Sequence, residues 1–222
     1  MSLHLHTLLV DRKRKITFAI LGLLLVFGTY ARAKNPSMEN FHESLAVSAS
    51  GAAIYGLIIA AFWLSGDLSS KLASRIIYRD SSRTRFATNR LFGMIVVSLA
   101  LGVLFIISSA IPGPTFDASM AFQGIISLLI ITVVSSLFAL AFAALTQSTF
   151  LTITGVLVVL LVPDILPKIF ASLPAEFVKF FPEYHLTTVQ EELWSPLSLL
   201  YLAGFTIVVV AVYFQAIKRA QF

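Results

Sequence analysis

The sequence predicts an all-α integral membrane protein built on six transmembrane helices, and three observations carry that expectation. Only 12% of the 222 residues are charged and 58% are hydrophobic, whereas a soluble domain carries about 25% charged residues. Apolar stretches of about 18–25 residues follow one another, the length that crosses ~30 Å of hydrocarbon at ~1.5 Å per residue. The Lys and Arg residues fall mostly on one side of the membrane that these stretches define.

The stretches lie at residues 16–33, 45–65, 91–111, 120–145, 150–170 and 197–217. Each is hydrophobic all round, as a helix enclosed by lipid and other helices must be. With both termini cytoplasmic, 12 of the 16 basic residues fall in inner segments and eight of the 11 acidic residues in outer ones. The positive-inside rule counts Lys and Arg, so this split sets the expected orientation. The first stretch has a second reading: basic residues 12–15, an apolar run and Ala31-Arg32-Ala33 also resemble a signal peptide with a small-residue cleavage site. Cleavage would leave five spans without inverting the rest. Ahead of it, Leu5, Leu8 and Leu9 share one helical face, which suits a short helix lying in the cytoplasmic interface. A disordered tail is the alternative.

The connections are unequal. Thr146-Gln147-Ser148-Thr149 and Pro112-Gly113-Pro114 are tight, whereas the inner segment 66–90 and the outer segment 171–196 are long. In the inner segment Leu68, Leu72 and Ile76 line one helical face, and Asp67, Lys71, Arg75 and Arg79 form a second stripe at the same spacing. This reads as an amphipathic basic helix, broken at Asp80-Ser81-Ser82, where short polar side chains compete for backbone hydrogen bonds. A second basic stretch, residues 83–90, leads into the third span. Anchoring at anionic headgroups, worth about 1 kcal/mol per base, explains the sign of the charge. It does not explain the ordered pattern, which suits docking of a cytoplasmic partner. In the outer segment and the end of the stretch before it, Pro163, Pro167, Pro174, Pro182 and Pro196 divide the chain, and residues 175–181 and 186–194 suit short helices. Phe177, Phe180, Phe181, Tyr184 and Trp194 suit an interfacial aromatic belt, as a cap over the bundle or a gate over an exit.

Several chemistries are excluded. There is no cysteine, and His4, His6, His42 and His185 are scattered on both sides of the membrane, so no metal set is expected. No charged residue or histidine sits centrally in a span, which argues against a proton- or sodium-coupled carrier. No G-x-S-x-G or H-E-x-x-H is present, so an enzyme is not expected, and no G-x-x-x-x-G-K-[ST], so any ATP must bind elsewhere. Ser127, Thr132, Ser135, Ser136, Thr149, Thr152 and Thr154, with the Ser98/Gly102 pair, suit helix–helix packing, and contact with a transported cargo is the alternative for the hydroxyls.

The order of elements resembles the membrane subunit of an ABC transporter of the ABC-2 permease type, over nearly the whole chain. In residues, the resemblance concentrates at Ser65-Gly66-Asp67 and at Ser82-Arg83-Thr84-Arg85-Phe86 with Arg90. Related subunits often read roughly Pro-x-Ser-Arg-x-x-(apolar)-x-x-x-Lys/Arg there. Asp80 stands in place of the proline, and the glycine-threonine pair common before it is absent. The resemblance implies an N-terminal interfacial helix, a cytoplasmic coupling helix between spans two and three, and an extracellular helical excursion between spans five and six. It implies that Asp67, Lys71, Arg75, Arg79 and Arg83 dock on a separate ABC ATPase subunit and transmit force from it. This chain would then bind no cofactor, with ATP and Mg on that partner. A second permease subunit, identical or similar, would share a cargo path for an apolar or amphipathic peptide, drug or lipid. Position along spans two and five makes Phe62, Trp63, Thr152 and Thr154 the candidates to line it. The expected setting is the cell membrane, with no nucleic-acid partner. A reading of another class stays open: a scaffold or immunity-type membrane protein that binds a partner and moves nothing.

Overall fold

The computed structural model describes residues 41–69, 82–110, 118–169, 175–192 and 195–220. The first expected span, the N-terminal interfacial helix and residues 70–81 of the basic segment, which include Lys71, Arg75 and Arg79, lie outside the described residues. Every regular element among the described residues is helical. Helix α1 (Phe41–Ala60) continues through a π-helical turn, Ala61–Ser65, into the short α2, Gly66–Ser69. Then come α3 (Arg83–Ala110), α4 (Ala118–Thr146) and α5 (Thr149–Ile169). A 3₁₀ turn (Ala175–Phe180), α6 (Pro182–Glu191) and α7 (Pro196–Arg219) follow. Three stretches, Arg83–Ser109, Met120–Thr146 and Pro196–Arg219, are long and apolar enough to cross a membrane, which fits a membrane protein.

Local chemistry explains where the helices start and stop. The apolar stretch begins at Leu91, yet α3 begins at Arg83. Ser82 caps it: its Oγ accepts from the Arg85 backbone N–H at 3.3 Å, and its carbonyl accepts from the Phe86 N–H. Residues 83–90 are therefore the first turns of a long helix rather than a loop leading to it. Ser148 caps α5 in the same way, through the Leu151 N–H. Pro182 and Pro196 occupy the first turns of α6 and α7, where a missing N–H costs nothing. The expected second outer helix thus starts at Pro182 instead of residue 186.

Helix α4 is the hub, packing against α1, α3, α5 and α7. Its buried Leu128, Ile131, Leu137, Leu140 and Ala143 join one apolar core with Leu57 and Leu64 from the second expected span and Leu202 and Val209 of α7. Close approach of α1 to α4 depends on Gly56, where a Cβ would strike the Ser136 hydroxyl. The hydroxyls that the sequence marks for packing mostly bond their own helix: Thr132 donates to the Leu128 carbonyl (2.7 Å) and Ser136 to that of Thr132 (2.6 Å). The hydroxyl pair linking α1 to α3 is Ser48 with Ser109, at 2.5 Å.

At one end of the bundle the 3₁₀ turn and α6 fold over the start of α7. The His185 ring stacks on Tyr201, with centroids 3.9 Å apart. Its Nε2 lies 2.8 Å from the Lys179 carbonyl and its Nδ1 3.1 Å from Ser198 Oγ. A carbonyl can only accept, so Nε2 carries a proton. Tyr201 donates to the Phe180 carbonyl at 2.7 Å, and Gln123 of α4 donates to that of Glu191. Phe177, Phe180 and Tyr184 remain exposed on this cap.

The α4–α5 turn uses Gln147 at φ 52°, a left-handed conformation that costs a non-glycine residue roughly 1–2 kcal/mol. Gln147→Gly is expected to raise unfolding stability in detergent by about 1 kcal/mol, and Gln147→Val to lower it. Gly56→Leu is expected to destabilise by about 1–3 kcal/mol through overpacking. Gly204→Ala, with open space around it, should leave the thermal midpoint unchanged or higher.

Candidate functional site

The site begins with a base and an acid that have left water. Asp67 on α2 and Arg90 on α3 form an ion pair, Nη2 to Oδ2, at 2.5 Å, and both side chains are 0% exposed. Removing two charges from solvent costs several kcal/mol per ion, which close pairing and good surroundings must offset. Those surroundings are aromatic. The Arg90 guanidinium carbon lies 5.2 Å from the Trp63 ring centre and 5.5 Å from that of Phe86, both within the ~6 Å range of a cation–π contact. The Trp63 indole N–H is buried without a hydrogen-bond partner among the described residues, so the ring serves here as a surface rather than a donor. Its position depends on Gly93, where a Cβ would stand 2.5 Å from Trp63 Cη2.

Helices α5 and α7 complete the corner. Tyr213 of α7 is buried and donates to the Ala87 carbonyl of α3 at 3.0 Å, one turn before Arg90. The π-helical turn, a rare form common at functional sites, carries Trp63 and Ser65. Ser65 Oγ contacts the Ala61 carbonyl within that turn and lies 2.5 Å from Thr149 Oγ1 at the start of α5. The helices on either side of the basic segment, α2 and α3, are therefore joined by a charge pair, and the π-helical turn before α2 meets the start of α5 through the Ser65 and Thr149 hydroxyls.

The residues expected to act together divide. Asp67, grouped by its spacing with an exposed basic docking stripe, is instead fully buried because it neutralises Arg90. Arg83 is exposed, and its Nη1 donates to the Lys218 carbonyl at 2.5 Å. Lys71, Arg75 and Arg79 fall outside the described residues. Among the residues placed on a cargo path, Trp63 packs in the corner, and Thr152 is buried with its hydroxyl donating to the Ser148 carbonyl at 2.7 Å. Phe62, 49% exposed, and the exposed Thr154 face out of the bundle. What the sequence left unread was the pairing of the two: Arg90 directly precedes one apolar stretch and Asp67 closely follows another.

Neither a protein-family model, nor a curated protein, nor a solved structure matches the chain.

Breaking the pair from one side leaves a buried charge alone. Asp67→Leu or Arg90→Met is each expected to cost about 3–5 kcal/mol. The double variant should recover most of that loss. Thermal unfolding of the purified protein in detergent measures both, and equal losses for single and double variants would show that the charges do not compensate each other.

Proposed function

We propose that this chain is the membrane-spanning permease subunit of an ATP-driven exporter of the ABC-2 type. The observation that carries the reading is the buried Asp67–Arg90 pair. It joins the two helices on either side of the basic segment into one stiff corner. A push applied to that segment by an external motor then moves α1 and α3 together instead of being lost in the loop. Such a corner suits a chain that lacks a phosphate-binding loop and takes its energy from an ATPase subunit holding ATP and Mg. Arg75, Arg79 and Lys71 supply the cationic docking surface, Arg83 borders it, and Asp67 acts behind it as a positioning residue.

The translocation path is shared with a second permease subunit, identical or similar, and passes an apolar or amphipathic cargo. Phe62 and Thr154, both turned outward, are the members of the expected cargo set able to meet such a partner or its cargo without rearrangement. Both termini lie in the cytoplasm of a cell whose membrane holds the chain, following the distribution of Lys and Arg.

Co-purification decides between this and a scaffold that moves nothing. The permease is expected to bring down an ATPase subunit, and a stable oligomer of this chain alone would favour the scaffold. Charge reversal at Arg75 and Arg79 together should weaken capture of the ATPase roughly tenfold or more, since like charges placed opposite one another cost several kcal/mol. Membrane insertion should be unaffected. Normal cargo transport by that variant in reconstituted vesicles would defeat the docking assignment.

A further inference from the structure

At the same end of the bundle, α4 and α7 finish side by side around an open hollow of about 520 Å³, lined by Ala144, Leu145, Gln147, Ala216, Arg219 and Ala220. The hollow exists because three alanines stand where the two helices would otherwise fill the space between them. Its lining changes character along its length. Ala144, Ala216 and the exposed Leu145 belong to helices apolar enough to cross a membrane. Gln147 and Arg219, beyond them, are exposed and polar.

Its charge is one-sided. No carboxylate among the described residues pairs with Arg219 or Lys218. Arg83 donates to the Lys218 carbonyl at the same turn and ties α3 to the end of α7. Two helices end here, and each C-terminus carries a partial charge of about −0.5, which disfavours an anion. The two full positive charges of Lys218 and Arg219, both exposed, outweigh it.

We propose that this hollow is a binding site for the headgroup of an anionic phospholipid. The planar Arg219 guanidinium suits the bidentate recognition of a phosphodiester, and the Gln147 amide is a second donor beside it. The alanine floor takes the start of an acyl chain along Leu145 and Ala216. A bare phosphate leaves that floor uncovered, so a lipid fits the whole lining better. The positive-inside rule assigns this end to the cytoplasmic leaflet, which is rich in anionic lipid. A scaffold could use such a site as well as a transporter.

The test is lipid retention by the full-length protein purified in mild detergent from membranes containing phosphatidylglycerol and phosphatidylethanolamine, read by native mass spectrometry. Wild type is expected to keep phosphatidylglycerol preferentially. Arg219→Ala and Ala216→Leu should each lower the retained amount about tenfold, while Arg85→Ala, a cation at the same end but outside the hollow, should not. Arg219→Ala lies on the exposed surface and keeps the test open even where Ala216→Leu fails to fold. Added inorganic phosphate should not displace the lipid. Equal retention of both lipids, displacement by phosphate, equal losses in Arg85→Ala, or loss of a bound acidic protein instead of lipid in Arg219→Ala would each overturn the assignment.

Discussion

The pairing of Asp67 with Arg90 is the constraint around which one end of this molecule is arranged. Two charges with no solvent exposure are tolerable only where every neighbour cooperates. That requirement accounts for details that would otherwise look unrelated. Trp63 and Phe86 offer their faces to the guanidinium, Gly93 gives up its side chain so that the indole fits, and Tyr213 closes the corner from α7. The pair lies between α2 and α3, two helices that are adjacent in space and thirteen residues apart in sequence. Apolar residues in the same places could be as stable, but they would not fix one pairing partner among the many apolar surfaces nearby. A charge pair has that selectivity because the wrong register strands a charge.

The two ends of the bundle are organised by different means. The end bearing Asp67 and Arg90 uses a charge pair wrapped in aromatic rings and a tight turn. The other uses neutral hydrogen bonds to carbonyls, from His185, Tyr201 and Gln123, beneath exposed aromatic side chains. Neutral contacts of this kind contribute modestly, about 0.5–1.5 kcal/mol each. The corner is thus held by one strong, specific contact, and the cap by several weak ones.

Much of the fold is legible in the sequence because hydrophobic length is a local property. The apolar stretches at 91–111, 120–145 and 197–217 correspond to the cores of α3, α4 and α7, and the polar run Thr146-Gln147-Ser148-Thr149 is the turn it reads as. The start of α3 was less visible, because residues 83–90 are charged enough to resemble a loop. The capping serine at 82 was the available sign. The site was legible only in part. Spacing groups Asp67 with Lys71 and Arg75, since a four-residue repeat is all that a single helix reveals. Its pairing with Arg90 is a tertiary choice made across the loop, and composition does not encode it. The hydroxyls teach the same lesson: Thr132 and Ser136 look as suited to bridging helices as Ser48 and Ser109, and only packing decides which pair meets.

The turn at Gln147 has a consequence for how the chain is made. Helices α4 and α5 are separated by two residues alone, too few to let either helix stray far from the other. An α5 held away from its neighbour in water would expose apolar surface at a cost of roughly 25 cal/mol for each Å². The two thus form one hairpin. Ribosomal synthesis has to run past residue 169 before the whole of that hairpin can pack.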